Sequence, residues 1–179
     1  MDSYSEEGPK KWPTFSKLGN CYCIFYNNSP FILIGPHWTF NVCALTLILI
    51  IISAYLTYLV PKMEYYSSIT GTLILFTSLI SYITVSLANP GVILPDSNTD
   101  VYPYLLADTV CPTCKVFINK SIRHCEDCNL CFKQLDHHCI FMGKCIASRN
   151  LLSFYTFLTS VFAFFVFSMF FVFTVDINR

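Results

Sequence analysis

The chain has 179 residues, of which 54% are hydrophobic and 12% charged, with zero formal net charge and a mean hydropathy of +0.54. This composition excludes an ordinary water-soluble globule, and the balanced charge gives no sign of an acidic or basic partner. Ten cysteines in so short a chain suggest disulfides at first sight, but their spacing among histidines argues for metal in a reducing compartment.

Met1 to Lys17 reads as a polar tail, in which Ser3, Ser5, Glu6, Glu7, Pro9 and Pro13 favour disorder and no cleavable signal peptide is expected. Leu18 to Pro36 is apolar but punctuated. Cys21 and Cys23 lie near the expected membrane boundary, where cysteines can be acylated; two semi-buried packing cysteines are the favoured reading. Asn27-Asn28-Ser29 is a glycosylation sequon that a cytosolic tail leaves unused, and His37 reads as an interfacial histidine without a ligand partner in sequence. Residues 1–38 are therefore expected to form a cytosolic tail and juxtamembrane segment.

Two apolar runs follow. Residues 39–60 carry no charge and are long enough to cross a hydrocarbon core of about 30 Å. Residues 65–88 form a second span, which Asn89-Pro90-Gly91 stops. Val92 to Val110 is a loop. It leads to the stretch around which the chain is organised, Cys111 to Asn150, which holds seven of the ten cysteines and three of the four histidines.

Cys-x2-Cys pairs at Cys111/Cys114 and Cys125/Cys128 can each bring two thiolates to a tetrahedral zinc. A third pair, Cys128/Cys131, overlaps the second, so the spacing predicts two interleaved sites. Two closed sites use eight ligands, whereas Cys139, Cys145, His124, His137 and His138 bring the candidates to ten. If the two left over are a cysteine and a histidine, they make a nucleophile with a possible base. In an extended Asp136-His137-His138-Cys139, His137 and Cys139 share one face and His138 takes the other. His138 can then serve a zinc while His137 faces Cys139, with Asp136 fixing the tautomer of His137. A free cysteine has a pKa of about 8.5 and is only slightly ionised at neutral pH; a neighbouring histidine raises the thiolate fraction that thioester chemistry needs. Few apolar side chains are available here for a core, so short hairpins and loops held by metal are expected.

These residues resemble the Asp-His-His-Cys (DHHC) protein S-acyltransferases, or palmitoyltransferases. The order Cys-x2-Cys, His-Cys-x2-Cys-x2-Cys, four residues, Asp-His-His-Cys, then Cys145 and Asn150, agrees with the family in every spacing. The resemblance implies one structural zinc on Cys111, Cys114, His124 and Cys131, and a second on Cys125, Cys128, His138 and Cys145. It implies Cys139 as the acylated nucleophile, His137 as base and Asp136 as its orienter, with palmitoyl-CoA or another long-chain acyl-CoA as substrate. The sequence departs from the family pattern at residues 118–121, at Ile140-Phe141 after the motif, at Asn89 where aspartate is usual, at Lys144 where asparagine is common and at Ala147 where glycine is common. None of these removes a ligand or a catalytic side chain. A purely structural zinc module is the bland alternative, and Asp-His-His-Cys tips the balance to catalysis. Nucleic acid is not expected as a partner, because Glu126, Asp127 and Asp136 interrupt the basic residues and the module is tethered to membrane.

Residues 151–175 form the third span, rich in phenylalanine, and 176–179 a short C-terminus. The expected fold is an α-helical integral membrane protein of three transmembrane helices, with a small zinc-stabilised Cys-rich domain at 89–150. Lys10, Lys11 and Lys17 before the first span and the six basic residues of the Cys-rich domain, against Lys62 alone between the first two spans, place both on the cytosolic side and Arg179 on the lumenal side. Golgi or endoplasmic reticulum membrane is the expected location, with membrane lipid, acyl-CoA and substrate proteins bearing cytosolic cysteines as partners. The family typically has a fourth span and a Thr-Thr-x-Glu tail. The sequence stops after three spans, so a shortened form is expected, and a non-catalytic zinc-bearing adaptor, acting alone or paired with an intact family member, is the alternative.

Overall fold

The structure is a computed structural model that describes residues 11–94 and 109–177. The polar residues 1–10 with Lys10, the loop residues 95–108, and Asn178 and Arg179 lie outside the described residues.

Residues 15–34, expected as tail and juxtamembrane segment, form a three-stranded antiparallel sheet of β1 (Phe15–Leu18), β2 (Cys21–Tyr26) and β3 (Ser29–Ile34) in the order β1-β2-β3. Asn27 and Asn28 both have positive φ, 48° and 59°, as a two-residue turn of mirror-image type requires. Leu18, Cys21, Cys23, Phe25 and Leu33 are buried together with Cys125, Cys128, Phe132 and Cys145. The sheet is thus one wall of the Cys-rich domain. Cys21 and Cys23 are fully buried, and burial pushes the Cys23 thiol up to about 11, so it stays neutral.

Among the described residues, three helices are long and apolar enough to cross a membrane: Trp38–Lys62, Tyr65–Leu87 and Leu151–Thr174. The first is regular over α1 (Trp38–Ala54) and widens into a π-helical turn at Tyr55–Leu59. It then tightens into a 3-10 turn at Val60–Lys62, where Pro61 has no N–H to continue the ladder. In α2 (Tyr65–Leu87), Gly71, Leu75, Ser78, Tyr82 and Val85 are buried at spacings of three and four, which mark one face. Serine hydroxyls on this helix return to backbone carbonyls, Ser78 to Ile74 at 3.0 Å and Ser81 to Thr77 at 2.6 Å, so the buried hydroxyls are satisfied without water. α3 (Leu151–Ile177) packs along α2. A β-carbon at Gly71 would run into the Tyr55 hydroxyl and the Phe167 ring, so glycine is what lets the three helices meet at this level.

Between α2 and α3 lie three two-stranded hairpins: β4 (Thr109–Val110) with β5 (Phe117–Ile118), β6 (Ile122–Cys125) with β7 (Leu130–Lys133), and β8 (His137–Cys139) with β9 (Lys144–Ile146). The end of α2 is joined to them by Asn89. Its Oδ1 accepts from the N–H groups of Gly91 at 2.9 Å and Val92 at 3.0 Å, and its Nδ2 donates to the Pro30 carbonyl at 2.9 Å.

Candidate functional site

Strand pairing builds the cysteine and histidine clusters. On the β6–β7 hairpin His124 faces Cys131, while the next residue, Cys125, faces Leu130. Neighbouring residues point to opposite faces of a strand, so His124 and Cys125 serve different groups. Cys111, Cys114, His124 and Cys131 form one group, and Cys125, Cys128, His138 and Cys145 the other. In each, the ligand atoms all lie within 4.8 Å of one another. His124 Nδ1 stands 3.5, 3.3 and 3.7 Å from the sulfurs of Cys111, Cys114 and Cys131. His138 Nδ1 stands 3.5, 3.4 and 3.6 Å from those of Cys125, Cys128 and Cys145. Tetrahedral bonds of about 2.3 Å to sulfur and about 2.0 Å to nitrogen put the two atoms about 3.5 Å apart. Both groups therefore fit a tetrahedral ion with three thiolates and one imidazole, a donor set consistent with zinc.

On the β8–β9 hairpin His138 pairs with Cys145, His137 with Ile146 and Cys139 with Lys144. His138 turns to the second group, and His137 and Cys139 fall on the other face. His137 is exposed, with its Nδ1 3.2 Å from Asp136 Oδ2 and its ring edge-on to Phe154 of α3 at 5.4 Å. Cys139 is half-buried against a cluster that includes Tyr82, Val85, Met142, Ile146 and Phe157. Tyr82, Met142 and Phe157 also line an apolar cavity of about 310 Å³ between the three helices, with Ala44 and Ile48 of α1, Ser78 of α2 and Val161 of α3 further along its wall. The candidate nucleophile thus shares a strand face with His137 and a packing cluster with residues that line the cavity.

Four residues to which sequence reasoning gave no supporting role hold this arrangement. Lys144, noted there only as a departure from the family pattern, is fully buried and donates from Nζ to the carbonyls of Leu33 at 2.8 Å and Ala88 at 2.6 Å. Burial pushes its ammonium down to about 7, against the opposing pull of thiolate charge at the neighbouring cysteines, Cys21 and Cys128 foremost. Asn150 is buried. Its Oδ1 accepts from the Ala147 N–H at 2.8 Å and its Nδ2 donates to the Cys145 carbonyl at 3.1 Å, which ties the start of α3 to β9. In the sequence Asn150 stands only as the last residue of the family pattern, without a role. Asn89 fixes the turn already described. His37 lies 2.9 Å, Nδ1 to Nε2, from His138, a residue 101 positions away that no local pattern points to.

Residues 106–179 match the family model described as DHHC palmitoyltransferase. The chain is 27% identical over 184 residues to palmitoyltransferase ZDHHC18-A of Danio rerio, covering 85% of this chain and 38% of that protein. It is 27% identical over 205 residues to palmitoyltransferase ZDHHC14 of Mus musculus, covering 95% and 40%. To palmitoyltransferase swf1 of Schizosaccharomyces pombe it is 30% identical over 144 residues, covering 75% and 38%. The chain spans about two fifths of the length of these curated relatives. With its motif, its paired Cys/His groups and its three apolar helices, it belongs to the DHHC palmitoyltransferase family.

Proposed function

We propose that this chain is a protein S-acyltransferase that moves a long-chain acyl group from acyl-CoA to Cys139 and then to a cysteine of a substrate protein. The observation that carries the reading is the position of Cys139, on the same strand face as His137 with its Asp136 partner, and packed in one cluster with Tyr82, Met142 and Phe157, which line the apolar cavity. A carboxylate accepts from His137 Nδ1–H, which leaves the lone pair on Nε2 for a proton.

The Cys139 thiolate attacks the thioester carbonyl of acyl-CoA. A new C–S bond forms at Cys139, the bond to the CoA sulfur breaks, and CoA leaves as a thiolate. In the second step a substrate cysteine gives its proton to His137 and attacks acyl-Cys139, which returns Cys139 to solution chemistry as a thiolate. Each buried methylene of the acyl chain is worth about 0.8 kcal/mol, so the tail stays in apolar surroundings while CoA stays in water. Such a substrate calls for a nucleophile at that boundary, and Cys139 precedes the start of α3 at Leu151 by twelve residues.

Cys111, Cys114, His124 and Cys131 would hold one zinc, and Cys125, Cys128, His138 and Cys145 the second. Each would fix the hairpins through a closed coordination shell and take no part in the bond changes. The Lys and Arg distribution favours a cytosolic Cys-rich domain, the side on which acyl-CoA and substrate cysteines are available, and the proposed location is a Golgi or endoplasmic reticulum membrane.

The purified chain in lipid nanodiscs, given palmitoyl-CoA and a cysteine-bearing acceptor peptide, should release CoA and acylate the peptide. Equal CoA release by the Cys139→Ser variant would overturn the reading.

A further inference from the structure

We infer that His37 is a positioning residue for the second Cys/His group: it holds the His138 ring by a side-chain hydrogen bond and so fixes the Asp136–Cys139 strand against the first span. The inference rests on the reading that Cys125, Cys128, His138 and Cys145 hold a zinc.

The geometry is specific. His138 Nδ1 faces the three sulfurs of its group, so a neutral ring carries its proton on Nε2. That Nε2 is 2.9 Å from His37 Nδ1, with the two rings edge-on at 75° and 5.1 Å between centroids. His37 Nδ1 is then the acceptor. A ligand imidazole whose other nitrogen is held in this way keeps its tautomer and its aim, and becomes a better donor to metal.

His37 is also placed to do this. It stands at the N-cap of α1 without using its side chain as a cap, so the imidazole is left for His138. Its backbone N–H donates to the Gly143 carbonyl at 3.2 Å, and one turn on Asn41 Nδ2 reaches the Met142 carbonyl at 3.3 Å. Just before it, a β-carbon at Gly35 would collide with the Gly143 carbonyl and Lys144, so the backbone approaches the β8–β9 turn as closely as it can. The start of the first span thus grips the hairpin that carries Cys139 at two backbone points and one ring.

The test uses the whole chain in lipid nanodiscs and follows zinc transfer to an excess of a chromophoric chelator. The other zinc group serves as an internal control. His37→Phe keeps the ring and its bulk but has no acceptor, whereas His37→Gln restores one. We expect His37→Phe to release one of about two zincs on the order of 10 to 100 times faster, and His37→Gln to return towards the wild-type rate. After cadmium exchange, the ¹¹³Cd spectrum of His37→Phe should shift at one resonance alone. If His37→Phe fails to fold, His37→Leu repeats the comparison without a ring. Wild-type rates for both zincs in the Phe variant, or equally fast release from Phe and Gln variants, would overturn the inference and leave the zinc reading standing. A wild-type chain that binds no zinc would overturn both.

Discussion

Asp136 Oδ2 lies 3.2 Å from His137 Nδ1, between adjacent residues at the start of β8, with both side chains at the surface. Exposed pairs contribute little to stability, so on the proposed mechanism the value of this one lies in orienting the imidazole for proton transfer. Asp136→Asn should therefore leave thermal unfolding close to wild type. It should slow acyl transfer by about 10² to 10⁴, the range for loss of a well-placed acid–base group. Matched melting curves and turnover rates check this.

Removing metal should dismantle the hairpins. Their strands are two to four residues long, and the candidate ligands Cys111, Cys125, Cys128, Cys131 and Cys145 are buried at their centre among a few apolar side chains. Hairpins this short are not stable alone, so ligand bonds supply folding energy. The chain should carry about two zincs, and Cys128→Ala should lose at least one along with much of the thermal stability. Elemental analysis alongside thermal unfolding measures both.

Much of this was legible. The ligand spacing foretold two interleaved sites because a tetrahedral ion needs paired ligands on tight turns, whereas which residue joins which group came from the family resemblance alone. The alternation of His137, His138 and Cys139 followed from the two-residue repeat of a strand. The spans were legible from apolar runs alone. The N-terminal sheet was not, although Asn27-Asn28 is a strong hairpin turn. Apolar residues occupy both faces, Cys21, Cys23 and Leu33 within and Tyr22, Ile24 and Ile34 without, which erased the alternation that announces a strand. His37 and Lys144 were invisible as supports because their partners lie far along the chain: His138 for His37, and Leu33 for Lys144, 111 residues away.

The Asn89 side chain makes three hydrogen bonds from a buried position, two to the chain entering the Cys-rich domain and one to β3. Asn89→Ala leaves two N–H groups and a carbonyl without partners, which should cost about 2 to 4 kcal/mol. Denaturant unfolding of the two proteins in the same detergent reads the difference directly.

The cavity between the helices sets a length limit on any chain it takes. Ala44 lies on its wall, and Ala44→Phe would fill the room of several methylenes. At about 0.8 kcal/mol each, four methylenes denied burial cost about 3 kcal/mol, on the order of 100-fold. The variant should favour shorter acyl-CoA over palmitoyl-CoA by that order in kcat/KM, which a chain-length series of acyl-CoA substrates measures.

The central claim is that Cys139 carries the acyl group. Intact-protein and peptide mass spectrometry after mixing the chain with palmitoyl-CoA tests it most directly. One hydroxylamine-sensitive palmitoyl adduct is expected, located on Cys139 and missing in Cys139→Ser. A zinc-loaded chain that forms no adduct on Cys139, or forms the same adduct in Cys139→Ser, would contradict it and bring the adaptor reading forward.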